Sequence, residues 1–215
     1  MDCLCSGSKE EMLKLFDAEI ARWRELGFSL NDLRHEEHLA YLKAKLKNEL
    51  PNMVESPEGA TPVLLVITEW WIPMAQLIQK LINGESERQK IENTLPEMLN
   101  LGPQWRAEPI LPYIVINTTR GNIMPRHCSI DVGPTRWQGK LPLTMTAGIS
   151  WLLGSPKNIS EYYEMFFLGS RIGYMVPGVG LRKRSNTVAL YSCVPNSVHV
   201  KEHEWAMPSC ERIIS

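Results

Sequence analysis

The segment Val63-Leu-Leu-Val-Ile67 constrains the fold of this chain more tightly than any other. It is an unbroken apolar run rich in β-branched side chains, preceded by Pro62 and followed closely by Glu69. A strand with one wet face alternates apolar and polar residues, whereas a strand apolar at every position must be covered on both faces. The chain therefore needs a sheet with this strand near its middle and helices to pack on it. No apolar run in the chain is longer, and this one falls far short of the ~20 residues that cross a bilayer, so the expectation is a soluble protein with no membrane partner.

Two helices precede that strand. Ser8-Lys-Glu-Glu11 has the form of a capping box, in which the Ser hydroxyl and the Glu carboxylate each accept from a backbone N–H. Met12, Phe16, Ile20 and Trp23 follow at three- and four-residue spacing on one face, and Gly27 supplies the left-handed residue that ends a helix. A second helix is predicted over about 35–50, with Leu39, Leu42 and Leu46 inward, Lys43, Lys45 and Lys47 near the negative end of its dipole, and Pro51 as its stop. The Pro, Glu, Ser and Gly residues of 51–62 read as an exposed connection.

After the apolar strand, Pro73 stands at a first helical position, with Met74, Leu77, Ile78 and Leu81 on one stripe and Gly84 as the close. Tyr113-Ile-Val-Ile116 is a second strand, and Arg120-Gly-Asn122 predicts a hairpin turn returning through Ile123-Met124. Thr144 can cap a helix that carries Ile149, Trp151 and Leu152. Three β-prone runs follow over 163–168, 174–181 and 187–193.

Composition narrows the function classes. At 215 residues the chain is one large domain or two small ones, and folding at this size buries roughly 70% of the unfolded surface. Lys+Arg 23 against Asp+Glu 24 gives a net charge of -1, so no overall field attracts a polyanion and nucleic acid is not expected. The five cysteines, at 3, 5, 128, 193 and 210, lack the dense spacing of a disulfide scaffold. Reduced thiols, and no basic-then-apolar leader at the first residues, give the expectation of a cytoplasmic protein. The sequence carries no nucleotide-binding loop, no zinc-protease helix and no nucleophile elbow.

The order of pieces resembles an uncharacterised family, the domain of unknown function family 5701. The resemblance is carried by Phe16-Asp17 through Glu25-Leu-Gly-Phe28, Leu64-Leu-Val66, Ile72-Pro73, Tyr113-Ile-Val-Ile116, Leu143-Thr144 with Gly148-Ile149, Gly169-Ser-Arg171, Val176-Pro177 and Ser209-Cys210. The chain departs from the family pattern where Ser197 and Val198 separate Asn196 from His199, and where Thr146 and Ala147 replace acidic residues. The resemblance implies no activity, cofactor or partner.

Candidate sites are few. Trp70-Trp71 directly follows the apolar strand, and two consecutive Trp on an extended segment cannot both enter one core face, so one is free to line a pocket or an interface. Arg171 and the Arg182-Lys-Arg184 turn form the densest positive region and could grip phosphate or carboxylate. Cys193, His199 and Cys210, with His203 nearby, offer thiolate and imidazole to zinc, although no close Cys pair forms a knuckle. The same three residues could instead be a thiol site, with His127-Cys128 a weaker pairing because neighbours on an extended chain point apart. His35-Glu-Glu-His38 has its histidines three apart, where a metalloprotease helix needs four, and reads as a solvated first turn.

The expected fold is α+β: a flexible tail over 1–8 and one compact domain over 9–215, with N-terminal helices packed on a mixed or antiparallel sheet of five or six strands. A division near 51–62 is the second reading. The expected function is noncatalytic binding, with Trp70, Trp71, Arg171, Arg182 and Arg184 edging a cleft for an anionic small molecule or a protein partner and with no cofactor. The rival is a zinc- or thiol-dependent enzyme built on Cys193, His199 and Cys210, and the sequence leaves open whether the protein is an enzyme.

Overall fold

The structure, a computed structural model, describes residues 4–81, 108–125, 140–155, 163–170, 176–182, 187–193 and 204–215. Helix α1 spans Lys9–Glu25 and opens on the capping box: Ser8 Oγ accepts from the Glu11 N–H at 3.2 Å, and Glu11 Oε2 accepts from the Ser8 N–H at 2.5 Å. It buries Met12, Phe16 and Trp23 and ends before Gly27, which has φ 87°. Helix α2, Leu33–Glu49, starts two residues earlier than its apolar pattern suggests. Its cap is Asp32, whose carboxylate accepts from the Arg34 N–H at 2.8 Å. Leu39, Leu42 and Leu46 face inward.

The fold is α+β, with its helices packed on a mixed, largely antiparallel sheet. Strand β1 (Leu4–Ser8) pairs antiparallel with β2 (Met53–Pro57) in a two-stranded ribbon. The remaining strands are β3 (Thr61–Val66), β4 (Tyr113–Pro125), β5 (Leu141–Pro142), β6 (Tyr163–Phe166), β7 (Val176–Arg182), β8 (Thr187–Cys193), β9 (Glu204–Cys210) and β10 (Arg212–Ile214). They form one eight-stranded sheet in the order β10-β4-β9-β6-β7-β8, with β3 also on β4 and β5 also on β9. Only β6 and β9 run parallel among the described pairs. Both ends of the ribbon differ from the sequence expectation. The tail predicted through residue 8 is a strand from Leu4, and the connection over 51–62 contains its partner, in which Val54 and Ser56 are buried while Met53 and Glu55 are exposed. The sheet also exceeds the five or six strands expected, because β5, β9 and β10 are too short or too polar to announce themselves.

Every residue from 63 to 68 is buried, as the unbroken apolar run requires. Helix α1 packs on β3, as does α4 (Met145–Gly154), and α3 (Met74–Leu81) packs on α4. Thr144 caps α4 by accepting from the Ala147 N–H at 3.2 Å. Apart from Gly154 at its end, α4 is buried throughout, the mark of a core helix. Trp151 Nε1 donates to Thr61 Oγ1 at 2.9 Å, and a Cβ at Gly148 would lie 2.0 Å from the Phe167 ring, so this helix sits close against its neighbours.

Helix α1 also closes the outer edge of β3. Trp23 Nε1 donates to the Leu65 carbonyl at 3.0 Å, and the Leu65 N–H donates to Glu19 Oε2 at 3.1 Å. Two side chains one helical turn apart thus replace a strand neighbour for both backbone groups of Leu65. Arg22 fixes the Glu19 carboxylate through Nε at 2.9 Å and Nη2 at 2.7 Å, and lies 4.8 Å from the centre of the Trp23 ring.

The hairpin expected at Arg120-Gly-Asn122 is instead a β-bulge inside one long strand. β4 pairs with β3 and β10 through its first half, then with β9, with a register shift between Thr119 and Asn122. Gly121 has the positive φ, 70°, that the sequence signalled. A Cβ there would lie 1.7 Å from the Met207 carbonyl oxygen, so the strand continues because β9 is present to receive it. Four residues earlier, Asn117 is buried with φ 55°. Its Nδ2 donates to the Glu55 carbonyl and to Glu211 Oε2, each at 2.7 Å, and its Oδ1 accepts from Ser56 Oγ at 2.6 Å. This amide holds the β1–β2 ribbon to the main sheet.

Trp23→Phe leaves the Leu65 carbonyl buried without its donor and should cost about 1–3 kcal/mol. Gly121→Ala meets both backbone strain and the Met207 carbonyl and should cost at least as much, about 1–3 kcal/mol. Urea unfolding of the two variants checks both, and an unchanged midpoint in either would refute the corresponding contact.

Candidate functional site

The loop after β3 is pinned from both sides. Thr68 is buried, its Oγ1 donates to the Ile110 carbonyl at 2.5 Å, and its own carbonyl accepts from the N–H groups of Trp71 at 3.0 Å and Ile72 at 3.1 Å. This turn separates the two tryptophans. Trp71 folds back onto α2, its ring 4.1 Å from that of His35 and 5.6 Å, edge-on, from that of His38. Trp70, at the tip, is 70% exposed. His38 is itself held, with Nε2 in a 2.7 Å hydrogen bond to the Pro112 carbonyl and its ring 5.9 Å from Tyr41.

The segment that receives Thr68 and His38 adds two exposed apolar side chains, Ile110 at 74% and Leu111 at 43%. Trp70, Ile110 and Leu111 therefore stand on two stretches of backbone that Thr68, Trp71 and His38 tie together. Large apolar side chains left in solvent on an ordered backbone are candidates for contact with another molecule.

A second polar constellation lies at the start of α4. The Glu108 carboxylate accepts from Tyr113 Oη at 2.5 Å, from Thr144 Oγ1, and from Thr146 Oγ1 at 3.0 Å. Ser170 Oγ accepts from the Met145 N–H at 2.9 Å. A carboxylate beside the first turn of a buried helix offsets the positive end of its dipole. With three hydroxyls directed at Glu108, this cluster fixes segment 108–112, and with it Ile110 and Leu111, against the core.

The structure places the other sequence candidates apart or leaves them undescribed. Arg171, Lys183, Arg184, His199, His203, His127 and Cys128 lie outside the described residues, and Arg182 is described by its backbone, at the end of β7 opposite Thr187. Cys210 is buried on β9, paired with Leu141, whereas Cys193 ends β8, paired with Val176. Strands β6 and β7 lie between them, a separation of roughly 14 Å at ~4.8 Å per strand. Among the described residues no three His, Cys, Asp or Glu side chains are grouped to hold a metal ion, and no helix is long and apolar enough to cross a membrane.

Comparison with known proteins identifies a family. A model described as a family of unknown function, DUF5701, matches residues 24–188. The chain belongs to this family. The DUF5701 match takes in α2, β3, the Trp70-Trp71 turn and α4, while Phe16-Asp17 and Ser209-Cys210 fall outside it. Neither a curated protein nor a solved structure matches the chain.

Sequence reasoning singled out the two tryptophans and missed what holds them. His35 and His38 read as a solvated turn, and their signal was the three-residue spacing that puts both on one helix face. Glu108 had no local signal, since its partners come from 113, 144 and 146. Thr144→Ala removes both the helix cap and a Glu108 partner and should cost about 1–2 kcal/mol, with Thr144→Ser retaining most of the stability. Denaturant unfolding of the pair tests this, and equal loss in both variants would assign the effect to the methyl group instead.

Proposed function

We propose that this DUF5701 protein is a noncatalytic binding module whose docking surface is the face formed by Trp70, Ile110 and Leu111. The observation that carries this reading is Trp70: a 70% exposed indole next to a Trp anchored on two histidines. Side chains that bind partners gain most when the backbone beneath them is already ordered, because less entropy is lost on association. Thr68, His38 and Glu108 supply that order from three different parts of the chain. Trp is also the residue type most enriched among energetic centres of interfaces. The reading does not depend on Arg171, Arg182 or Arg184.

A displayed library of random peptides, selected on the full chain, tests the proposal. Peptides enriched on the wild-type protein should lose at least about tenfold in affinity on Trp70→Ala, while the unfolding free energy stays within about 0.5 kcal/mol of wild type. Enriched peptides that bind the Trp70→Ala protein equally well would place the docking surface elsewhere.

A further inference from the structure

We infer that the Trp70 face takes a basic, arginine-bearing segment of a partner protein; this rests on the binding reading above and names the chemistry of its ligand. Exposed carboxylates stand beside the Trp70 turn in the chain and at the end of α2 that meets Trp71. Glu69 is exposed and adjoins Trp70, and Glu37 is exposed on α2 within one turn of both histidines that hold Trp71. Asp32 and Glu36 add two more exposed carboxylates at the same end of α2, and Arg34 is an exposed cation among them. The chain as a whole is nearly neutral, so among the described residues this is a local imbalance. A partner that buries Trp70 has to desolvate or answer those carboxylates, and a cationic segment answers them.

The aromatic part of the face favours the same ligand. An indole attracts a cation over its π-face, and a guanidinium adds planar stacking to that attraction. The protein already uses such pairs internally, with Arg22 over Trp23 at 4.8 Å and Lys45 over Tyr41 at 5.4 Å. Trp70 has its ring in solvent, and Ile110 and Leu111 offer apolar surface on which the methylene stem of an arginine can lie.

Fluorescence anisotropy with short synthetic peptides on one apolar framework, differing only in a central Arg, Lys, Ala or Glu, tests the inference with the full-length chain. The expected order is Arg, Lys, Ala, Glu from tightest to weakest, with at least about tenfold between the first and last and a loss of affinity as salt rises. Trp70→Ala should abolish the ranking, and Glu69→Gln should narrow the Arg-to-Glu difference about threefold while leaving the Ala peptide unchanged. Equal or tighter binding of the Glu or Ala peptide overturns the basic ligand and leaves the binding face standing. Self-association lost on Trp70→Ala, with no peptide bound, overturns it in favour of a second copy of the chain. No peptide binding in a chain that stays monomeric removes both the ligand and the face.

Discussion

The indole N–H of Trp23 and the carboxylate of Glu19 occupy both backbone groups of Leu65, and much of the remaining arrangement follows from that contact. Among the described strands β3 pairs with β4 alone, so its other edge carries polar groups inside an apolar layer. A buried carbonyl or N–H without a partner costs as much as several buried methylene groups repay. Side chains from a helix can satisfy such an edge only if the helix lies at one height and one rotation. Trp23 and Glu19 set both for α1, and Arg22 keeps the carboxylate from turning away.

From α1 the constraint passes to the proposed site. The connection through Gly27 and the Asp32 cap brings α2 back against α1, where Lys43 pairs with Asp17 at 2.6 Å. That exposed pair is worth little by itself. The buried contacts of Leu39, Leu42 and Leu46 fix the rotation of α2, and rotation decides that His35 and His38 face Trp71. On the far side, Glu108 fixes the segment that carries Ile110. The exposed indole thus stands where two rigid parts of the core meet, which is why a loop side chain can be well placed.

The parts of this fold legible in the sequence are those whose cause is local. The capping box at Ser8, the stripe of α3, the Thr144 cap and the unbroken strand are each written within a few consecutive residues. The β1–β2 ribbon was not legible, because Met53–Pro57 alternates over too few positions and lies among turn-forming residues. Gly121 shows the limit most clearly. Its positive φ could be read, but a bulge and a hairpin turn begin with the same dihedral, and only β9, almost ninety residues later, decides between them. The candidate site divides the same way: two adjacent tryptophans announce themselves, while the histidines and the carboxylate that position them depend on tertiary contacts.

The exposed carboxylates of the α2 start and of the Trp70 turn do not all have the same origin. Asp32, Glu36 and Glu37 stand in the cap and first turns of α2, where negative charge opposes the helix dipole, so helix stability alone would select them. Glu69 has no such reason. It precedes α3 by five positions, lies on the turn between β3 and Trp70, and is exposed. Turn geometry is served equally well by Ser or Asn at an exposed position. Under the proposed reading a negative charge there acts mainly on whatever approaches Trp70, and this would separate the electrostatics of binding from the electrostatics of folding within one small surface.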